Sequence, residues 1–337
     1  MTDVPAESLR YQVLDRAPLR WSDRLLRWET ILVILLVAVV VFNTILSPYF
    51  LDLYNLSDTT QNFSEKAIVA LGMALLILVR EIDLSVAAIM ALASLAMGLA
   101  MQAGAGPGTL VLIALAVGAL CGAFNGLLVT AFGLPAIVVT IGTMSLYRGI
   151  AQVVLGDGAI TTYPPEFTEW AQNFILDEPP LYLAFSLFLA LAAVFAVVLH
   201  GTVWGRMLYA IGNNPVAARY SGIPVGRIRF ILFVLTGLLA GLAAALLTAR
   251  IGSTRPNLAL GWELDIVTMV VLGGVSIAGG SGTIPGVVIA VFVLGLATFG
   301  LTLLNVPGIV INVVIGLLLV ASIALPIIVR RLIARRP

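Results

Sequence analysis

Six ionisable residues sit in or beside long apolar runs: Arg80, Glu81, Asp83, Arg148, Glu263 and Asp265. A charge at the centre of a bilayer costs about 2.5–3.5 kcal/mol on insertion scales, so each needs a partner or a use. For Arg80, Glu81, Asp83, Glu263 and Asp265, an interfacial position with local ion pairing and a role on a membrane path are both open. Arg148 is harder to seat at an interface, because it lies well inside the apolar run that follows Pro135. It is expected to face the bundle interior, to pair with an acid or a helix C-terminus, or to line a path. Thr140, Thr143 and Ser145 precede it, Asn125 lies in the preceding run, and Ser85 follows Asp83. Neutral hydroxyls and amides with one or two charges suit a polyhydroxy solute better than an ion, although Ser and Thr also bond their own helix backbone. The candidates for a translocation path are therefore Glu81, Asp83, Ser85, Asn125, Thr140, Thr143 and Arg148.

Other chemistry is excluded by what these residues lack. Lys66 is the one lysine and no GxxxxGK[ST] occurs, so the chain has no P-loop for ATP. The single histidine, His200, and single cysteine, Cys121, cannot make a His/Cys metal cluster or an intrachain disulfide; Cys121 is expected to be a small packing residue. Neither GxSxG nor HExxH is present, so no catalytic residue is assigned and no metal or cofactor is expected on the chain. The run GGVSIAGGSG at 273–282 has no basic partner and reads as a tight helix break rather than a phosphate cradle. Basic residues gather in tails and one loop, leaving no nucleic-acid footprint.

The elements that must position these residues are membrane helices. Of the 337 residues 61% are hydrophobic and only 10% charged, too little polar surface to cover a water-soluble core. The apolar runs are unbroken, which excludes the ten-residue alternation of a β-barrel. The fold class is all-α, a polytopic membrane bundle. With about 20 residues per span, about ten crossings are expected, near 30–47, 65–80, 84–102, 109–132, 136–155, 181–200, 228–250, 264–280, 284–303 and 308–329. The 65–102 region could instead be a broken or re-entrant pair, because Arg80-Glu81-Ile82-Asp83 interrupts it.

Orientation follows from arginine placement. Arg10, Arg16, Arg20, Arg24 and Arg27 precede the first span, Arg206, Arg219, Arg227 and Arg229 lie in the 200–229 loop, and Arg330, Arg331, Arg335 and Arg336 close the chain. The positive-inside rule makes all three segments cytoplasmic, so both termini are cytoplasmic. The connection from Gly156 to Pro180 carries Asp157, Glu166, Glu169, Asp177 and Glu178 with no Lys or Arg, and belongs outside. With Tyr163, Phe167 and Trp170 it is expected to lie along the interface. The chain divides into a polar tail at 1–29, which lacks signal-peptide features, a transmembrane region at 30–330 with its cytoplasmic loop, and a basic tail at 331–337. Gly118, Gly122 and Gly126 recur at intervals of four, as do Gly237 and Gly241, a small-residue spacing for close helix packing.

Within the basic loop a short helix is expected. Asn213-Asn214-Pro215 supplies an N-cap and a first-turn proline, and the helix should run through AARYSG and stop at Gly222, before Pro224. A capped helix between two spans is a docking knob for a partner; otherwise the segment is a long loop. Internal similarity is also visible: Glu81-Ile82-Asp83 and Glu263-Leu264-Asp265 each precede an apolar run, and PAIVVTIG from Pro135 is echoed by PGIVINVVIG from Pro307. On the span count the two acidic pairs face opposite sides, as an inverted repeat would place them.

Four stretches together carry a family resemblance: EIDLSVAAIMALAS at 81–94, LPAIVVTIGTMSLYRGIA at 134–151, GNNPVAARYSGIPV at 212–225 and VVLGGVSIAGGSGTIPG at 270–286. They resemble the permease subunits of bacterial ABC importers for monosaccharides, a group including ribose, xylose, arabinose, galactose, rhamnose and autoinducer-2 systems, across about residues 30–330. The resemblance implies a multi-pass bacterial inner-membrane protein that pairs with a second permease copy or paralogue. It also implies that sugar arrives from a periplasmic binding protein, and that a cytoplasmic ATPase, holding the ATP and Mg, drives transport. Carried over, Asn213, Asn214, Pro215, Ala217, Ala218, Arg219, Tyr220, Ser221, Gly222 and Ile223 would contact that ATPase, which leaves Arg206 and Arg229 to topology. Asp83 and Ser85 fall in the family's GIDLSVG pattern; Pro135, Thr140 and Gly142 fall in its LPAFIVTLGT pattern. The family has glycine where this chain has Glu81, and Gly-Ser where it has Ala87-Ala88, departures that would fit one half of a heteromeric pair. REIDLSVAA combined with GSTRPNLALGWELDIVTMVVLGG is most similar to rhamnose or autoinducer-2 permeases. The competing expectation is a secondary transporter driven by an ion gradient through Glu81, Asp83 or Arg148.

Overall fold

The computed structural model describes residues 28–176 and 180–334. Arg10, Arg16, Arg20, Arg24 and Arg27 of the expected tail, Asp177 and Glu178 of the acidic connection, and Arg335 and Arg336 lie outside the described residues. The chain forms α1 Trp28–Leu46, α2 Leu53–Leu78, α3 Val86–Gln102, α4 Pro107–Thr130 and α5 Ala136–Leu155. Then come α6 Pro165–Gln172, a hairpin of β1 Phe174–Leu176 and β2 Leu181–Tyr182, α7 Leu183–Gly201, α8 Val203–Asn213 and α9 Pro215–Tyr220. It ends with α10 Val225–Ile251, α11 Trp262–Leu272, α12 Ile284–Leu303 and α13 Gly308–Ala334. The small antiparallel hairpin is the one departure from the all-α expectation among the described residues.

Seven of the described helices are long and apolar enough to cross a membrane: α1, α2, α4, α5, α7, α10 and α12. Val86–Gln102 and Gly308–Val320 are shorter apolar helices. The expected span at 264–280 is a helix of 11 residues that ends at Leu272. Its C-cap is Gly273, and Gly274, Gly279, Gly280 and Gly282 have positive φ, so the glycine run is a helix break as read from sequence. The expected span at 65–80 begins earlier, at Leu53. Asp52 caps it, its carboxylate accepting from Asn55 N at 3.0 Å.

The polar first half of α2 hides it from a hydropathy reading, and its side chains are satisfied locally or by neighbours. Thr59 donates to Asn55 O at 2.7 Å, Ser57 to Pro180 O at 2.7 Å, and Gln61 to Ala171 O at 2.9 Å. The second half is buried on every face from Ala67 to Val79, which makes α2 the centre of the bundle. Against α4 runs α10, the most extensive helix pair in the molecule. The glycines at intervals of four create that contact: a Cβ on Gly118 would strike Gly237 O, and one on Gly241 would strike Ala114 O. Without a hydrophobic drive between helices in lipid, such backbone approach is what gains van der Waals contact.

The bundle has two distinct ends, one at each terminus of α10. At one end α6 is tied down more firmly than an interfacial segment requires. Phe167 and Ala171 are buried, and Ile160 forms a β-bridge with Thr254. Tyr163 OH and Thr254 Oγ1 lie 2.7 Å apart, beside a further 2.7 Å contact from Thr254 to Ser94. At the other end sit α8, α9, the α2–α3 turn, the glycine turn between α11 and α12, and the start of α1, where Trp28 Nε1 donates to Leu272 O at 2.8 Å. The acidic tripeptides follow this polarity. Glu81 pairs with Arg229 at the start of α10, whereas Asp265 shares a cavity with Arg250 at its far end.

Candidate coupling site

The short helix expected in the basic loop is present as α9, with Pro215 in its first turn. Asn214 is its cap: the side-chain oxygen accepts from Val216 N and Ala217 N, both at 3.0 Å. Gly222 ends the segment at φ 83°, a left-handed value that suits glycine. Of the expected docking residues, Ala218 is buried and anchors the helix, while Pro215 and Ile223 are half-buried. Asn213, Asn214, Ala217, Arg219, Ser221 and Gly222 are exposed, and Tyr220 is 89% exposed. A preceding amphipathic helix, α8, was not expected from the sequence. It folds because Gly205, Leu208, Ile211 and Gly212 line one face against the bundle.

That face is bound to two breaks in the membrane helices. Arg80 lies just past the end of α2, in a left-handed conformation at φ 70° that costs a non-glycine residue about 1–2 kcal/mol. Its guanidinium caps the C-terminal end of α8: Nε donates to Gly212 O at 2.7 Å and Nη2 to Asn213 O at 2.8 Å. The glycine turn closes the third side, with Gly280 N donating to Leu78 O at 2.9 Å and Tyr209 OH to Gly282 O at 2.7 Å. Burial raises the Tyr209 phenol pKa above its ordinary value, which keeps the hydroxyl a donor. Arg229 also has a specific partner that the sequence did not name: it pairs with Glu81, Nη1 to Oε1 at 2.8 Å. The acid is folded onto it from the α2–α3 turn.

Behind the turn lies a sealed polar node. Asp83 Oδ1 accepts from Ser85 N at 2.9 Å and from Ser85 Oγ at 2.6 Å. Asn125 Nδ2 donates to Ser85 Oγ at 2.8 Å and reaches Asp83 Oδ2 at 3.4 Å, and Tyr147 OH lies 3.3 Å from Asn125 Oδ1. Thr140 Oγ1 reaches Ile82 O at 3.4 Å, with Thr143 one turn further along α5. Asp83, Ser85, Asn125 and Thr140 are 0% exposed and Thr143 only 4%. The structure therefore brings together six of the seven path candidates, Glu81 at the rim and five in the node. Arg148 does not join them. It reaches instead to the opposite end, donating to Pro256 O at 2.9 Å and Leu258 O at 2.6 Å in the segment before α11.

A second polar site was missed by sequence reasoning. Lys66 Nζ lies 2.5 Å from Asp265 and 4.6 Å from the Trp262 ring centroid, and Arg250 Nε lies 2.7 Å from Glu65. Lys66, Arg250, Trp262 and Asp265 line a cavity of about 320 Å³ with Thr59, Asn62, Thr298 and Thr302. The adjacent acid and base at positions 65 and 66 were the available signal, but their partners lie far away along the chain.

Residues 55–323 match the family described as branched-chain amino acid transport system / permease component. The chain belongs to this permease family. The permease is 38% identical over 280 residues to the ribose import permease protein RbsC of Escherichia coli (strain K12), covering 82% of this chain and 86% of that protein. It is 36% identical over 303 residues to the autoinducer 2 import system permease protein LsrD of the same strain, covering 88% and 91%. To LsrD of Photorhabdus temperata it is 33% identical over 302 residues, covering 88% and 90%. No solved structure matches the permease. These relatives agree with the resemblance carried by the four motifs, and the fold adds a spatial reason for it. The α2–α3 turn, the start of α5, the α8–α9 segment and the glycine turn all meet at one end of this multi-pass membrane protein.

Proposed function

We propose that this permease is the translocation subunit of an ATP-driven importer for a monosaccharide, in the bacterial inner membrane. Its substrate class is that of the ribose and autoinducer-2 relatives, with rhamnose or autoinducer-2 the narrower reading. In this arrangement α3, α11 and α13 would join the seven longer helices to make ten crossings. An even number would put α8, α9 and both termini in the cytoplasm, where the basic loop belongs by the positive-inside rule. Sugar would come from a periplasmic binding protein, and two permease chains, alike or paralogous, would form the path. ATP and Mg would be held by a separate cytoplasmic ATPase docked on α9.

The observation that carries this reading is the α8–α9 segment: α9 is a capped helix with its outer face exposed, and α8, immediately before it, is bonded to the breaks after α2 and between α11 and α12. A docking element must bind the two states of its partner differently, or it couples nothing. Reconstitution in proteoliposomes with the ATPase and binding protein tests it. ATP-dependent sugar uptake is expected, whereas uptake that persists without any ATPase and collapses with the ion gradient would establish a secondary transporter. In the same vesicles Ala218→Glu, which forces a charge under α9, and Gly222→Pro, at a φ proline cannot adopt, should leave insertion intact and abolish ATPase stimulation.

A further inference from the structure

We infer that Arg80 is a positioning residue that ties the docking segment to the translocation helices, so that a displacement of α9 is passed into the α2–α3 turn. The inference rests on the reading of α9 as the ATPase-docking element and deepens it to a single side chain. Three separate stretches of chain meet on this arginine. Its guanidinium holds Gly212 O and Asn213 O, immediately before the Asn214 cap. Its aliphatic stem lies over Gly279, where a Cβ would collide with Arg80 Cγ. Its own backbone, left-handed at φ 70°, forms the turn that leads through Glu81 to Asp83.

Two features argue for a rigid joint. Gly212 fits with no space to spare, since a Cβ there would strike Leu78 O and Gly280 N, so α8 cannot slide on the turn without breaking contacts. A strained backbone persists where the surroundings over-determine it, and such strain gathers at switching sites. Glycine would hold φ 70° more cheaply, so what an arginine adds at this position is its side chain. From the turn, motion has a continuous physical route: Asp83 is held through Ser85 and Asn125 to α4, and Tyr147 lies against Asn125 from α5. Contiguity alone does not establish coupling, which makes the experiment specific.

Arg80→Gly keeps the turn conformation and deletes the tie; Arg80→Lys keeps the charge and loses the two-carbonyl fork. Each is reconstituted in liposomes as the full complex with the ATPase and binding protein. Thermal stability, co-purification with the ATPase, basal ATPase activity, stimulated activity and sugar imported per ATP are measured. Arg80→Gly is expected to co-purify and keep basal hydrolysis while stimulation falls about five- to tenfold, the range of ordinary coupling energies, and sugar per ATP falls with it. Arg80→Lys should be intermediate. Wild-type stimulation and stoichiometry in Arg80→Gly would overturn the assignment, as would loss of assembly in both variants, which would make Arg80 a purely structural cap. If the unmutated complex shows no stimulation at all, the docking reading itself fails, a result distinct from failure of Arg80 alone.

Discussion

Gly237 of α10 lies so close to the backbone carbonyl of Gly118 in α4 that neither residue has room for a methyl group. Replacing Gly237 by Leu must push the two helices apart. A loss of about 1–3 kcal/mol or more is expected, because overpacking a close contact displaces backbone rather than a flexible side chain. Gly149→Ala is the control: nothing lies near its Cβ, and alanine gains up to about 1 kcal/mol of helix propensity. Thermal unfolding in detergent should show the first variant far below wild type and the second at or slightly above it.

Asn125 Nδ2 bonds Ser85 Oγ and reaches Asp83 Oδ2, completing the shell that the Ser85 N–H and hydroxyl begin at Asp83 Oδ1. Asn125→Leu removes that donor and leaves both Asp83 and Ser85 short of a partner, at an expected cost of about 2–3 kcal/mol. Asn125→Asp should be worse at neutral pH, since it sets a second carboxylate against the first. The order wild type, then Leu, then Asp in melting temperature is the expected result; a Leu variant as stable as wild type would refute the node.

Lys66 and Asp265 join α2 to α11 beside the cavity. Asp265→Lys alone should cost about 2–4 kcal/mol by facing two cations across a partly buried gap. The double exchange, Lys66→Asp with Asp265→Lys, should recover most of that loss. A double-mutant cycle on unfolding checks the coupling, and strictly additive single effects would rule it out.

Asn214 caps α9 with two bonds from its side-chain oxygen. Asn214→Ala should cost about 1 kcal/mol locally, leave membrane insertion unchanged and lower stimulated ATPase activity in the reconstituted complex. Asn214→Asp, which caps as well as Asn, should restore it. The Ala and Asp variants measured side by side separate loss of the cap from loss of the amide.

Much of the framework was legible in the sequence. The boundaries of α5 and α12 agree with the expected 136–155 and 284–303, because each is a predominantly apolar run with a proline at its start. The capped helix α9, the glycine spacing of α4 and α10, and the break at 273–282 were legible for the same kind of reason: caps, turns and helical faces are set by residues a few positions apart. The polar half of α2 was not, since its hydroxyls and amides satisfy themselves against Asn55, Ala171 and Pro180, partners no hydropathy window sees.

The site divides along the same line. Glu81, Asp83, Ser85, Asn125, Thr140, Thr143 and Arg148 stood out because polar groups in an apolar run need a reason. Sequence could not say that six of them would gather at one end while Arg148 bonded Pro256 and Leu258 at the other. Nor could it pair Arg229 with Glu81, Lys66 with Asp265, or Arg80 with the carbonyls of Gly212 and Asn213. By itself the sequence determined an all-helical membrane chain, the short capped helix in its basic loop, and the residue types available for a polar path. Only the tertiary structure decided which charge met which partner, because in a low-dielectric bundle each buried polar group is satisfied by whatever the packing brings within about 3 Å, however distant in the chain.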